Sequence, residues 1–163
     1  MNKSNLLVLS SSKGYDFLMP TYADNRKALH DYEILEKFSA GLELLGTEVK
    51  SVRGGRLNLR GSHVSIKGGE AFLVGAELPA HQPQNAPEEY NSNRERKLLL
   101  SKKELLEMSE AIDTKGLTIV PLSVYNKGRF LKIDIAIARG KKKWDKRQAI
   151  KKRDVERDLK RTL

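Results

Sequence analysis

Between Asp31 and Leu44 the chain alternates. Tyr32, Ile34, Phe38, Ala40, Leu42 and Leu44 are apolar, while Asp31, Glu33, Lys37, Ser39, Gly41 and Glu43 are polar or small. A period of two predicts one long half-buried strand, and the reversal at Leu35 and Glu36 predicts a bulge within it. Gly46 breaks the strand. Thr47 is placed to cap a short helix over Glu48 to Arg53, with Glu48 at the positive end of the dipole, and Gly54 and Gly55 stop that helix. Ser62 to Lys67, Gly68-Gly69 and Glu70 to Leu78 read as a tight hairpin, because only Gly takes positive φ cheaply at both central positions.

Pro79 to Asn93 holds three prolines among Gln, Asn and Glu and reads as a surface loop. Arg94 to Lys97, followed by Leu98, Leu99 and Leu100, reads as a loop feeding buried structure. Ser101 and Glu104 form a capping box, and Leu105, Met108 and Ile112 recur at helical spacing until Gly116, predicting a second helix over about Lys102 to Thr114. Leu117 to Tyr125 and Phe130 to Ala138 are β-rich runs joined at Asn126-Lys127-Gly128-Arg129, and Pro121 marks an edge or a bulge in the first. Met1 to Asp24 has no sustained period and reads as a poorly ordered extension, with Met19 an alternative start six residues ahead of Asn25. The pattern therefore divides into an extension (1–24), a β domain (25–140) and a C-terminal tail (141–163). Five strand runs with two short helices predict a mainly β fold, a small antiparallel barrel or strongly curled sheet.

Charge changes this picture at one end. Arg139 to Leu163 holds twelve Lys or Arg against four Asp or Glu, a net of +8 out of the chain's +10. Drawn as a helix, the tail gathers eight of the eleven basic residues after Gly140 into an arc of roughly 140°, with Trp144, Val155, Leu159 and Leu163 on the other side. Such a field attracts phosphate polyanions, and an aromatic among lysines suits base stacking with phosphate contact. Smaller basic, hydrogen-bonding clusters stand at Asn25-Arg26-Lys27 and at Lys50, Arg53 and Arg56 with Asn58. No stretch approaches the ~20 apolar residues of a membrane span, and the chain has no Cys; both fit a cytoplasmic protein that meets no membrane. His30, His63 and His81 lack metal-ligand spacing, and neither a phosphate-binding Gly-rich loop nor a GxSxG serine occurs. No catalytic residue, metal or cofactor is expected. The residues leave a generic single-strand or ribosomal-type RNA binder, and an RNA enzyme using strand carboxylates, as rivals.

The strings NRKALHDYEI (Asn25 to Ile34), GTEVKSVRGGRLNL (Gly46 to Leu59), GGEAFL (Gly68 to Leu73), RERKLLL (Arg94 to Leu100), GLTIVPLSVY (Gly116 to Tyr125) and ARGKKKWDKR (Ala138 to Arg147) together resemble the SmpB family of SsrA-binding proteins. The resemblance runs in order from Asn25 to about Arg157. It implies an oligonucleotide-binding-like β-barrel, monomeric and not an enzyme, that holds the tRNA-like domain of transfer-messenger RNA. It further implies delivery of that RNA, with elongation factor Tu reached through it, to stalled ribosomes. There the protein stands in for the missing anticodon arm, and a tail that can become helical probes the decoding region and empty mRNA channel of the small subunit. Asn25, Leu99 and Lys132 match RNA-contact positions, to which the residues themselves add Arg26, Lys27, Lys50, Arg53 and Asn58. Gly140, Lys141, Lys142, Lys143, Trp144, Asp145, Lys146 and Arg147 match the ribosome-engaging motif, which Lys151, Lys152 and Arg153 extend. Three departures stand out. Ser39 replaces a Glu that the resemblance makes an RNA contact, leaving Glu36 or Glu43 as conceivable substitutes. Ser92 replaces a Pro, which should loosen its loop. Trp144 stands where His or Tyr is usual.

Overall fold

The structure, a computed structural model, describes Leu7, Val8 and residues 19–162. Its elements are β1 (Leu7–Val8), β2 (Met19–Asp24), α1 (Arg26–Asp31), β3 (Tyr32–Leu42), α2 (Gly46–Arg53), β4 (His63–Lys67) and β5 (Glu70–Val74). A 3-10 turn at Pro83–Asn85 precedes β6 (Arg96–Leu99), α3 (Lys102–Lys115), β7 (Thr118–Lys127), β8 (Phe130–Gly140) and α4 (Lys143–Thr162). Seven strands pair antiparallel in the order β2-β7-β8-β3-β6-β5-β4, and two-residue β1 adds to the edge of β2.

The mainly β class forms as expected, as a curled sheet rather than a closed barrel. β7 has both edges occupied, by β2 and β8, so β4 packs against β7 without a ladder between them. Inside the curl Ile119, Val124, Ile133 and Ile135 meet Leu73, Leu98 and Met108 of α3. On the outer face, Ala28 of α1 covers Val120, Leu122, Ala136 and Ala138.

The long strand carries its bulge between Ile34 and Glu36, where the alternation reverses. Pro121 lies beside a second bulge, in an interior strand and not at an edge. Gly68 and Gly69, at φ 58° and 74°, make the β4-β5 hairpin. α3 has the expected Ser101–Glu104 box and ends at Gly116.

Four expectations are corrected. Met19–Asp24, assigned to the extension by its lack of period, is a strand held by pairing with β7, about a hundred residues away in sequence. Residues 1–6 and 9–18 of that extension lie outside the described residues. Asn25 to Asp31 contains a helix, α1, that the pattern did not predict. α2 begins at Gly46 rather than after Thr47, because Glu48 Oε2 accepts the Leu45 N–H at 2.9 Å and makes Leu45 the N-cap. Arg96–Leu99 is a strand rather than a loop, paired to both β3 and β5.

That last strand puts a charge in the core. The Arg96 and Glu48 side chains are both 0% exposed and meet at 2.9 Å. Arg96 donates Nε and Nη2 to Glu48 Oε1, Nη1 to the carbonyls of Ala76 and Arg94, and Nη2 also to Ser92 O, which employs all five of its N–H groups. Arg94 adds Nε to Oε1 at 2.8 Å and Nη2 to Oε2. Ser92 O also receives the Leu78 N–H. The loop that the Ser92 departure should loosen is thus held by a carbonyl that any residue supplies.

Burial pushes the Glu48 carboxyl up, but Arg94, the Leu45 N–H and Arg96 together bring it below the ordinary glutamate value. Its folded pKa lies under its unfolded one, so the stabilisation is whole above about pH 4.3 and is lost as pH falls through the folded value. Glu48→Gln, which strands the buried Arg96 charge, should lower unfolding free energy by about 3 kcal/mol in urea titrations at pH 7. The gap between variant and parent should narrow as the titrations are repeated toward pH 3.

Candidate nucleic-acid interface

Strand register fixes what shares the outer face of the sheet. Leu99 on β6 is paired with Gly41 on β3, Gly41 with Lys132 on β8, and Lys132 with Tyr125 on β7, so these four stand in one row across the strands. One step along, Ser39, Asp134 and Ser123 form a second row. Gly41 leaves room for Leu99. A Cβ there would come within 3.1 Å of Leu99 Cβ, so its absence lets the Leu99 side chain lie flat across β3.

At the end of the first row a groove of about 430 Å³ opens between β6, the β7-β8 turn and α2. Arg53, Arg129 and Lys132 bring positive charge to it, and Leu42, Leu44 and Val49 give it apolar walls. Leu99 and Phe130 are 55% and 71% exposed beside it. An apolar, aromatic surface edged by cations can stack bases and neutralise phosphates together. Of the residues singled out in the sequence, the groove gathers Arg53, Leu99 and Lys132. Arg129 and Phe130 were missed, although the shared parity of Phe130 and Lys132 on one strand was there to be read.

The other expected residues lie elsewhere. Asn25 is 4% exposed and fully engaged: Oδ1 accepts the Ala28 N–H at 3.2 Å, and Nδ2 donates to Leu59 O at 3.2 Å and Pro121 O at 2.9 Å. It caps α1 and ties it to the Leu59 carbonyl of the loop before β4 and the Pro121 carbonyl within β7, so its role toward any ligand is positional. Arg26 is exposed and pairs with Asp24 at 3.3 Å, and Lys27 is exposed on the same short helix. Lys27 also borders a separate cavity of about 250 Å³ near His63. Lys50 projects from α2 into solvent. Asn58 Oδ1 accepts the Arg60 N–H, and its backbone bridges Glu77.

Neither suggested substitute reaches the Ser39 position. Glu36 lies at the bulge against Glu107 of α3, where burial first and that neighbouring carboxyl second push its pKa up. Glu43 lies beyond the end of β3. The carboxylate facing Ser39 belongs to Asp134.

The tail follows β8 directly. Lys141 donates its backbone N–H to Asp31 O at 2.9 Å and its Nζ to Leu29 O at 3.3 Å, and Lys146 Nζ meets Asp31 Oδ1 at 3.3 Å. His30 Nδ1 meets the same oxygen at 2.9 Å, and its hydrogen bond is the main influence drawing the Asp31 carboxyl down, against burial and with Lys146 assisting. Beyond this joint, Lys151, Lys152 and Arg153 are exposed on α4, as is Arg147. Gly140 ends β8 and Lys142 is exposed just before α4. Lys143, Trp144 and Asp145 belong to the first turn of α4, and the stacking expected of Trp144 lies outside the described side chains. No helix among the described residues is long and apolar enough to cross a membrane, and no group of three or more metal-ligating side chains occurs among them.

The family model described as SmpB protein matches residues 22–163. An SsrA-binding protein of Ligilactobacillus salivarius is 49% identical over 143 residues, covering 86% of this chain and 90% of that protein. One from Prochlorococcus marinus subsp. pastoris is 43% identical over 162 residues, 99% of this chain and 90% of that one. Among solved structures, a chain from "tmRNA-SmpB: a journey to the center of the bacterial ribosome" superposes with a TM-score of 0.60 at 39% identity, covering 78% of this chain and 93% of that one.

Asn25→Ala removes an N-cap and leaves two buried carbonyls short of a donor. It should cost about 2–3 kcal/mol in urea unfolding. Arg26→Ala, which removes an exposed ion pair, should change stability by less than about 1 kcal/mol in the same assay.

Proposed function

The chain belongs to the SmpB family, and from that membership we propose that it is a non-enzymatic adaptor for transfer-messenger RNA. It binds the tRNA-like domain of that RNA and carries it to stalled ribosomes, with elongation factor Tu joined through the RNA. The work is done in the cytoplasm, where the ribosomes are. The observation that carries the reading is the convergence of Arg53, Leu99, Lys132, Arg129 and Phe130 on one groove.

The two parts of the molecule have different tasks. At the groove, cations from α2, the β7-β8 turn and β8 stand with an exposed aromatic at fixed spacing, as a folded RNA with set phosphate positions requires. The tail has its charge on an exposed helix joined to the sheet through α1. It reaches away from the RNA grip into the decoding region and the empty mRNA channel, whose walls are phosphate. Gly140 through Arg147, continued by Lys151, Lys152 and Arg153, supply that contact.

Truncation after Gly140 should abolish tagging of stalled peptides while leaving affinity for transfer-messenger RNA within a few-fold. A generic RNA binder that grips with its tail would instead lose most of its affinity. Lys132→Ala should weaken RNA binding at every salt concentration and reduce the slope of log affinity against log salt by about 0.7–0.9, the share of one phosphate contact. Filter binding between 50 and 300 mM KCl measures both.

A further inference from the structure

Two residues along β8 from Lys132, beside the groove rather than in it, stands a carboxylate. Asp134 lies directly across the ladder from Ser39 on one side and Ser123 on the other, one row from Lys132. The Ser39 and Tyr125 hydroxyls hydrogen-bond to each other at 2.7 Å. One hydroxyl proton is used in that bond, and one is left for the carboxylate. An ionised carboxylate has about four acceptor sites, so Asp134 keeps most of its capacity for donors from outside. Burial pushes its carboxyl above the ordinary aspartate range, against the pull of the Tyr125 and Ser39 hydroxyls and the Lys37 ammonium.

A phosphate cannot be what faces Asp134, because like charges repel. The complementary group on an RNA is a neutral donor, and a carboxylate is best matched by two donors side by side. Of the four bases, guanine alone has adjacent donors, N1–H and N2–H₂, on its Watson–Crick edge. Single-stranded loops expose that edge. Next to it, the groove offers the neighbouring nucleotides apolar and aromatic surface at Leu99 and Phe130, and Lys132, Arg53 and Arg129 bring positive charge for their phosphates.

We propose that Asp134, backed by the hydrogen-bonded Ser39 and Tyr125 hydroxyls, is the specificity-determining acceptor of this face and reads the Watson–Crick edge of an unpaired guanine. The inference rests on the RNA-adaptor reading and adds a base to it. It also gives the Ser39 departure a meaning: the carboxylate is on the neighbouring strand.

The test uses the full chain and fluorescence anisotropy with oligouridines carrying one central guanosine, inosine, adenosine or cytidine. Guanosine should bind about tenfold tighter than adenosine or cytidine, with inosine, which lacks the 2-amino group, in between. Asp134→Asn, which exchanges one acceptor for a donor, should erase the preference and leave plain oligouridine binding within about twofold. Ser39→Glu combined with Asp134→Ser returns a carboxylate to the same spot from across the ladder and should restore the preference. Equal binding of all four oligonucleotides by the parent protein overturns the inference, whether or not the variants fold. So does a uniform loss in Asp134→Asn, which would mark a structural role. Transfer-messenger RNA binding, measured alongside, tests the adaptor reading separately and can stand while the base preference fails.

Discussion

The buried Glu48–Arg96 pair is the constraint around which the rest is arranged. A charge with no exposure is tolerable only when every donor and acceptor is satisfied, and here all five Arg96 N–H groups have partners. Those partners come from α2, from the carbonyls of Ala76 and Ser92, and from Arg94, so one side chain fixes three segments that have no ladder in common. Arg53 lies on α2 and Leu99 on β6, and they meet at the groove because their elements are tied together underneath it. The electrostatics of the core therefore set the spacing of the surface.

The same pair explains which parts of the fold were legible. The long strand, its bulge, both hairpins and α3 could be read because their side chains sort by polarity in the ordinary way. β6 could not. Its inward positions are Arg96 and Leu98, so the core side of the strand begins with a charge and the alternation that identifies a strand is absent. Glu48 read correctly as a favourable helix-end charge, but nothing local discloses partners 46 and 48 residues ahead. β2 failed for a related reason: six residues with a bulge are made a strand by β7, and their own pattern is too short to show it.

The candidate site was legible to a different degree. Lys132 and Leu99 were named by resemblance alone, since one lysine on a strand and one leucine in a run of three carry no signal by themselves. Register supplies the missing information, because Gly41 is paired with both and places them in one row. Asn25 shows the converse. Its motif was recognised, but its side chain is turned inward to cap α1 and hold two carbonyls. A residue recognised through a family motif can thus serve the fold of the neighbouring helix rather than touch a ligand.

The tail is bound by another physical limit. α4 has twenty residues and an exposed cationic surface, and among the described residues the α1 joint holds it, through Lys141 and Lys146 at Asp31 and Leu29. Like charges packed on one face oppose helix formation. Lys160 and Arg161 in the last turn offset part of this by opposing the helix dipole. A polyanionic surface removes the remaining repulsion, so the helix is most stable where phosphates surround it. Charge density then does two things at once: it draws α4 toward phosphate, and it makes the helix firmest where phosphate offsets its like charges.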